Sequence, residues 1–250
     1  MDATLYTHYG AIRDERDDND KPYVPAARTL APSVDLRAGC ATVYDQGKIR
    51  SCSANALASA LTFLEKKAER PIVLPSRLFM YYNARALTND QACDSGTTIR
   101  NAIKALKQTG ACDEALWPYD PAQVAHAPPQ ACYDHASIHA FGYYRLSQTD
   151  LSHAKACLAE GYPFVFGIEI YHGPLQAVNA NGHLTMPDAG DTPLAGHAVM
   201  AVGYDDATQT IVALNSEGPS WGLSGYFTIP YAYMTDVDLT FDLWTIRKMT

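Results

Sequence analysis

The stretch DQGKIRSCSANALASALTFLEKK occupies residues 45–67. Ala54, Leu57, Ala58, Leu61 and Leu64 recur at helical spacing, so it predicts an amphipathic helix with Cys52 in its first turn. A thiol there has two readings. Free cysteines are commonly buried and inert. A cysteine at a helix N-terminus, however, feels the positive end of the macrodipole, which lowers its pKa and makes the nucleophilic thiolate accessible. Gln46, six residues upstream on a glycine-containing loop, supplies an amide donor able to fold back over the sulfur. Arg50 sets a bulky charge two residues before the thiol.

Outward from this helix, the first half of the chain is helical. PSRLFMYYNARAL (75–87) offers Ser76 as a cap, TTIRNAIKALKQTG (97–110) closes at Gly110, and DLSHAKACLAEG (150–161) closes at Gly161. The second half is rich in β-branched and aromatic residues between Gly, Asp and Pro turns. It predicts strands at 163–171, 197–204, 210–215, 225–230 and 242–248. Helices first and strands later predict an α+β protein, a helical lobe against a sheet lobe, with a site in the cleft between them. Residues 1–34 are polar, with an acid-rich patch at 14–20 and three prolines after it, and read as a solvated, extended arm before a domain spanning 35–250. Such an arm either drapes over the cleft through Tyr6, Tyr9 and Tyr23 or braces the back of the domain.

GHAVMAVGY carries His197 at the mouth of a strand, and the following strand ends at Asn215. A cysteine, a histidine and an asparagine form a nucleophile, base and orienter set. In these segments the chain resembles the papain-like cysteine peptidases, and specifically compact bacterial members with a short N-terminal extension. DQGKIRSCSANA matches the family's glutamine–cysteine loop, HAVMAVGY its histidine strand, and LNSEGPSWGLSGYFTIP its asparagine segment. CDSGTTIRNAIKALKQTGACDEALWPY is similar to the stretch that lines the substrate groove. The likeness runs in order over roughly residues 34–248. His197 follows Cys52 by 145 positions (197 − 52), inside the family's usual window of about 130–150, while Asn215 lies beyond it.

The resemblance implies a two-lobe fold and a thiol peptidase using Cys52 as nucleophile, His197 as acid–base and Asn215 as its orienter. Gln46 would join the Cys52 N–H in an oxyanion hole. It implies substrate contacts at Ser95, Gly96 and Gly196, with Trp221 shielding the His–Asn pair. Two departures fall in the cleft: Arg50 stands where glycine is usual, and Glu217 replaces the first tryptophan of the asparagine motif. Both are candidate substrate-binding residues. Ile49 replaces a cysteine that in many members pairs with the position of Cys93. The alternatives left open are a peptide-binding pseudopeptidase and an acyltransferase or deconjugase using the same thioester chemistry.

Composition bounds the rest. At 250 residues and a formal net charge of −8, the chain is not attracted to nucleic acid or an anionic membrane surface. No apolar run reaches the roughly 18–20 residues that span a bilayer. The opening residues lack a signal-peptide pattern, and the expectation is a cytoplasmic monomer acting on peptides or proteins without a cofactor. Cys132, His135 and His139 have zinc-like spacing but no fourth ligand nearby, so no metal is expected.

Overall fold

The computed structural model describes residues 8–137 and 141–248. Helix α1 (Cys52–Lys67) is the central rod, buried from Cys52 to Leu64. Its alanines let neighbouring elements approach closely. Helix α2 (Arg77–Ala86) begins where Ser76 accepts a hydrogen bond from the Phe79 amide. Thr98 does the same for the Asn101 amide at the start of α3 (Ile99–Thr109), which stops at Gly110. Leu57, Leu61, Leu78, Phe79, Ile103 and Leu106 from these helices form the helical lobe's core. Short α4 (Gln130–Asp134) and α5 (Leu151–Ala159) lie farther along the chain.

The sheet lobe is built on β4 (Phe141–Arg145), β5 (Phe164–Tyr171), β6 (Pro193–Asp205), β7 (Thr210–Leu214), β8 (Tyr226–Pro230) and β9 (Thr240–Lys248). They hydrogen-bond in the order β4-β9-β5-β6-β7-β8, every pair antiparallel. β6 is the wall shared by the two lobes. Its side chains alternate: Ala198, Met200 and Val202 join the core of the helical lobe, and Val199 and Ala201 join that of the sheet lobe. The expected strands are all present. Helix α6 (His172–Asn181) falls in a stretch that reads as a loop, because Gly173 and Pro174 hide a helix whose first turn tolerates proline. Helix α7 (Tyr231–Thr235) completes the set.

The arm is extended, as its composition predicts, but it is not solvated throughout. Ala11–Ile12 form β1, which pairs parallel with β3 (Thr97–Thr98), and Ser33–Asp35 form β2, which pairs with the end of β6. The acidic patch departs from expectation. The Asp14 side chain is fully buried, and Asp20 pairs with both Arg100 (2.5 Å) and Arg145 (2.9 Å). Arginines from α3 and β4 supply the countercharge that lets these carboxylates leave water. Tyr9 and Tyr23 are buried, and Tyr6 lies outside the described residues.

Candidate active site

Cys52 opens α1 and is wholly buried. The backbone of Gly10, of Ala198 and of Ser53 each acts to lower the pKa of its thiol, against the larger effect of burial. Ala198 is the neighbour of His197, so β6 and α1 bring the two candidate residues to one point. His197 stands opposite Ile168 in the β5–β6 ladder. Its Nε2 lies 2.7 Å from Asn215 Oδ1, and its Nδ1 is buried with no hydrogen-bond partner among the described residues. With Nε2–H given to Asn215, Nδ1 is the atom left for proton transfer. The Ser216 amide also donates to Asn215 Oδ1 (2.8 Å), which holds the carboxamide in place. Trp221 donates to Asn179 Oδ1 and stacks edge-on against Phe227, beside a tight apolar enclosure that includes Tyr9, Ile170, His197 and Asn215.

Gln46 is wholly buried and ties the two motifs together. Its backbone N–H donates to Ser216 O (2.8 Å), and its Oε1 accepts from Ser216 Oγ (2.6 Å). One proton of its Nε2 goes to Ile49 O (3.1 Å) and the other to His8 O (2.9 Å). The amide is therefore locked by Ile49 and Ser216, with one N–H aimed into the cleft at a peptide carbonyl.

That carbonyl belongs to the arm. Residues 8–12 fill the cleft as a strap. The Tyr9 ring lies on His197 with centroids 4.5 Å apart, Thr97 N–H donates to Gly10 O (3.0 Å), and His8 Nε2 sits 2.9 Å from Glu217 Oε1. The fit depends on missing side chains. A methyl group built on Gly96 would meet Gly10 O at 2.2 Å, and one built on Gly196 would meet Ala11 O at 2.2 Å. Both glycines border the strap's backbone. Ser95 Oγ turns to Gly96 O, and Arg50 presses its backbone against Gly10 while its N–H donates to Asp94. Beyond this, Arg13 lies over the Phe241 ring and donates to Val237 O.

Burial sets the charge state. It holds the His197 imidazole down to about 4, against the upward pull of Glu217 and Asn215, and it pushes the Cys52 thiol up. The closed cleft is thus the home of a neutral pair.

All six cysteines are free thiols. Cys132 lies in α4 and His135 caps its end, while His139 is outside the described residues. Among the described residues no cluster of His, Cys, Asp or Glu could hold a metal ion, and no helix is long and apolar enough to cross a membrane. The strap residues His8 and Gly10, and Ser216 behind Gln46, are participants that motif reading missed. A Gly-Ala pair inside a polar, aromatic arm was the available signal for the first two.

A thiol at a buried helix start, an Asn-oriented histidine and an amide donor at the junction of a helical and a sheet lobe define a thiol hydrolase of the papain type. The chain belongs to the papain family of cysteine proteases: the family model "Papain family cysteine protease" matches residues 30–240. It is 40% identical over 216 residues to an uncharacterised peptidase C1-like protein of Acanthamoeba polyphaga mimivirus, covering 82% of this chain and 70% of that one. Mouse cathepsin J is 27% identical over 196 residues, covering 75% of this chain and 56% of that one. Among solved structures, xylellain, a cysteine protease from Xylella fastidiosa, superposes with a TM-score of 0.91 at 38% identity, covering 98% of this chain and 97% of the other. Digestive procathepsin L 3 of Tenebrio molitor larval midgut shares the fold at a TM-score of 0.75 and 21% identity, over 97% of this chain and 76% of that one. The protein is a papain-like cysteine peptidase.

Proposed function

We propose that the chain cleaves peptide bonds through Cys52, His197, Asn215 and Gln46, and that its residues 8–14 hold it latent as a pro-like segment. The observation that carries both parts is the Gln46 Nε2–H donated to the His8 carbonyl of the strap, whose Gly10 backbone acts on the Cys52 thiol. A peptide carbonyl occupies the place where a substrate oxyanion would form.

With the strap lifted, water returns to the cleft, and the Cys52 proton passes to His197 Nδ1. The thiolate attacks the substrate carbonyl carbon. An S–C bond forms, and the carbonyl electron pair moves to oxygen, facing Gln46 Nε2–H and the helix N-terminus. His197 gives its proton to the leaving nitrogen as the C–N bond breaks, leaving a thioester on Cys52. A water, deprotonated by His197, then attacks the thioester, and the acid leaves as the sulfur regains its charge. Transfer to an amine instead of water would use the same steps. Asn215 keeps the imidazole plane aligned throughout, and the Trp221 side of the enclosure keeps that bond dry.

The test is residue-specific alkylation paired with turnover. In a chain whose strap is destabilised by Gly10→Ala, iodoacetamide near pH 6 should label Cys52 ahead of the other five cysteines. Labelling should be lost in His197→Ala, and peptide turnover should be lost in Cys52→Ser. Even labelling of several cysteines, or turnover surviving Cys52→Ser, overturns the reading.

A further inference from the structure

Behind Gln46 lies a buried polar chain that the four-residue mechanism does not use. Tyr119 OH donates to Gln46 O at 2.8 Å and lies 2.6 Å from Ser51 Oγ. A phenol has one proton. Since that proton goes to Gln46, Ser51 must donate to Tyr119 and itself accept from Asn55 Nδ2, 2.9 Å away. Asn55 Oδ1 in turn accepts from Arg77 Nη1 at 2.9 Å. The same Arg77 nitrogen donates to Asp45 O at 3.0 Å.

Every proton in this chain therefore has one direction, and the direction is set at the guanidinium. Arg77 is itself immobilised. Its Nε and Nη2 form a two-point pair with Glu114 at 2.9 and 2.7 Å, and its plane lies between the Tyr119 ring (3.8 Å) and the Tyr44 ring (4.4 Å). Such a fork-to-carboxylate pair stacked on aromatics is a rigid anchor that lysine cannot reproduce. Ser51 immediately precedes Cys52, and Asp45 immediately precedes Gln46. One side chain from α2 thus holds the oxyanion loop and the start of the nucleophile helix in fixed relation.

We propose that Arg77, acting through Asn55, Ser51 and Tyr119, is the positioning residue of the oxyanion hole. This rests on the peptidase reading above. The donor Nε2 of Gln46 must meet a charge that exists only in the transition state, and a small misplacement costs rate without weakening ground-state binding. The network touches neither the sulfur nor the imidazole, so thiol reactivity should be independent of it.

Two assays on the full chain separate the two activities. Iodoacetamide alkylation of Cys52 needs no oxyanion hole, while hydrolysis of a peptide amide does. Arg77→Lys and Arg77→Met should lose roughly ten- to a hundredfold in kcat with KM changed by less than about threefold. Tyr119→Phe, which keeps the ring under the guanidinium and removes only the hydroxyl, should lose roughly three- to tenfold. Alkylation should stay at or above the wild-type rate in all three, since a looser Gln46 also grips the strap less. The proposal is overturned if kcat is unchanged in folded Arg77 variants and in Tyr119→Phe, or if alkylation falls in step with turnover. A strap-opened Gly10→Ala chain that alkylates at Cys52 yet never hydrolyses peptides overturns the peptidase reading instead.

Discussion

Glu217 Oε1 and His8 Nε2 lie 2.9 Å apart, so the residue that departs from the family's tryptophan meets a residue from the chain's own arm. The carboxylate also raises the affinity of His197 for a proton, as its second-largest influence after burial. The substitution acts both on the lid and on the base.

Loss of the carboxylate should therefore be visible in the pH profile. In Glu217→Gln the imidazolium form of His197 loses a stabilising charge, so the alkaline limb of kcat/KM should move to lower pH by roughly half to one unit. A limb that stays in place would show that Glu217 serves the strap alone.

Opening the strap without touching the catalytic groups is possible at Gly10. A methyl group there would lie 2.3 Å from Arg50 Cβ and 2.7 Å from Arg50 O, so the strap or the Arg50 backbone must shift to admit it. Overpacking of this kind costs about 1–3 kcal/mol. Gly10→Ala should accordingly raise peptide kcat/KM about tenfold or more, with little change in thermal midpoint. Unchanged turnover would mean that strap departure does not limit the enzyme.

Acid should loosen the strap at its His197 end. The docked imidazole is held at about 4 against an ordinary 6.5, so docking is at full strength above pH 6.5 and weakens as pH falls towards 4. His8 repels the same proton, and Glu217 attracts it. Asp242 opposes this trend. Burial first, then Asp14, raise it to about 6, so its contribution to the closed form improves as pH falls through 6. Amide exchange at residues 9–12, corrected for intrinsic rates, should lose protection between pH 7 and 5, and lose more in Asp242→Asn. Protection that rises with acid in both proteins would contradict the linkage.

The fold, and the convergence of Cys52, His197, Asn215 and Gln46 on one cleft, were legible because each rests on local chemistry. The helix period after Cys52, the cap at Ser76, the stop at Gly110 and the β-branched runs are readable one segment at a time. His197 and Asn215 sit in and just after strands whose patterning is readable from the segment alone. The arm's path was not legible. Whether Asp14 is solvated or buried depends on Arg100 and Arg145, far away in sequence, and nothing in residues 14–20 names them. Helix α6 was hidden by Gly173 and Pro174. The network from Arg77 was unreadable for the opposite reason: no single residue in it is unusual, and its meaning lies in who donates to whom.

The strap is a tethered ligand, and that changes how its occupancy must be reckoned. Past the cleft, the chain stays fastened by Tyr23 N–H to Arg145 O, by Asp20 to Arg100, and by Val34 opposite Tyr204. A segment released at residues 8–12 thus remains held a few residues away, at an effective concentration of roughly millimolar order. Dilution cannot dissociate it, and a free peptide substrate at micromolar levels competes against it at a disadvantage. On the proposed reading, opening is self-reversing, and only a cut between the cleft and the Asp20 anchor would make activation permanent.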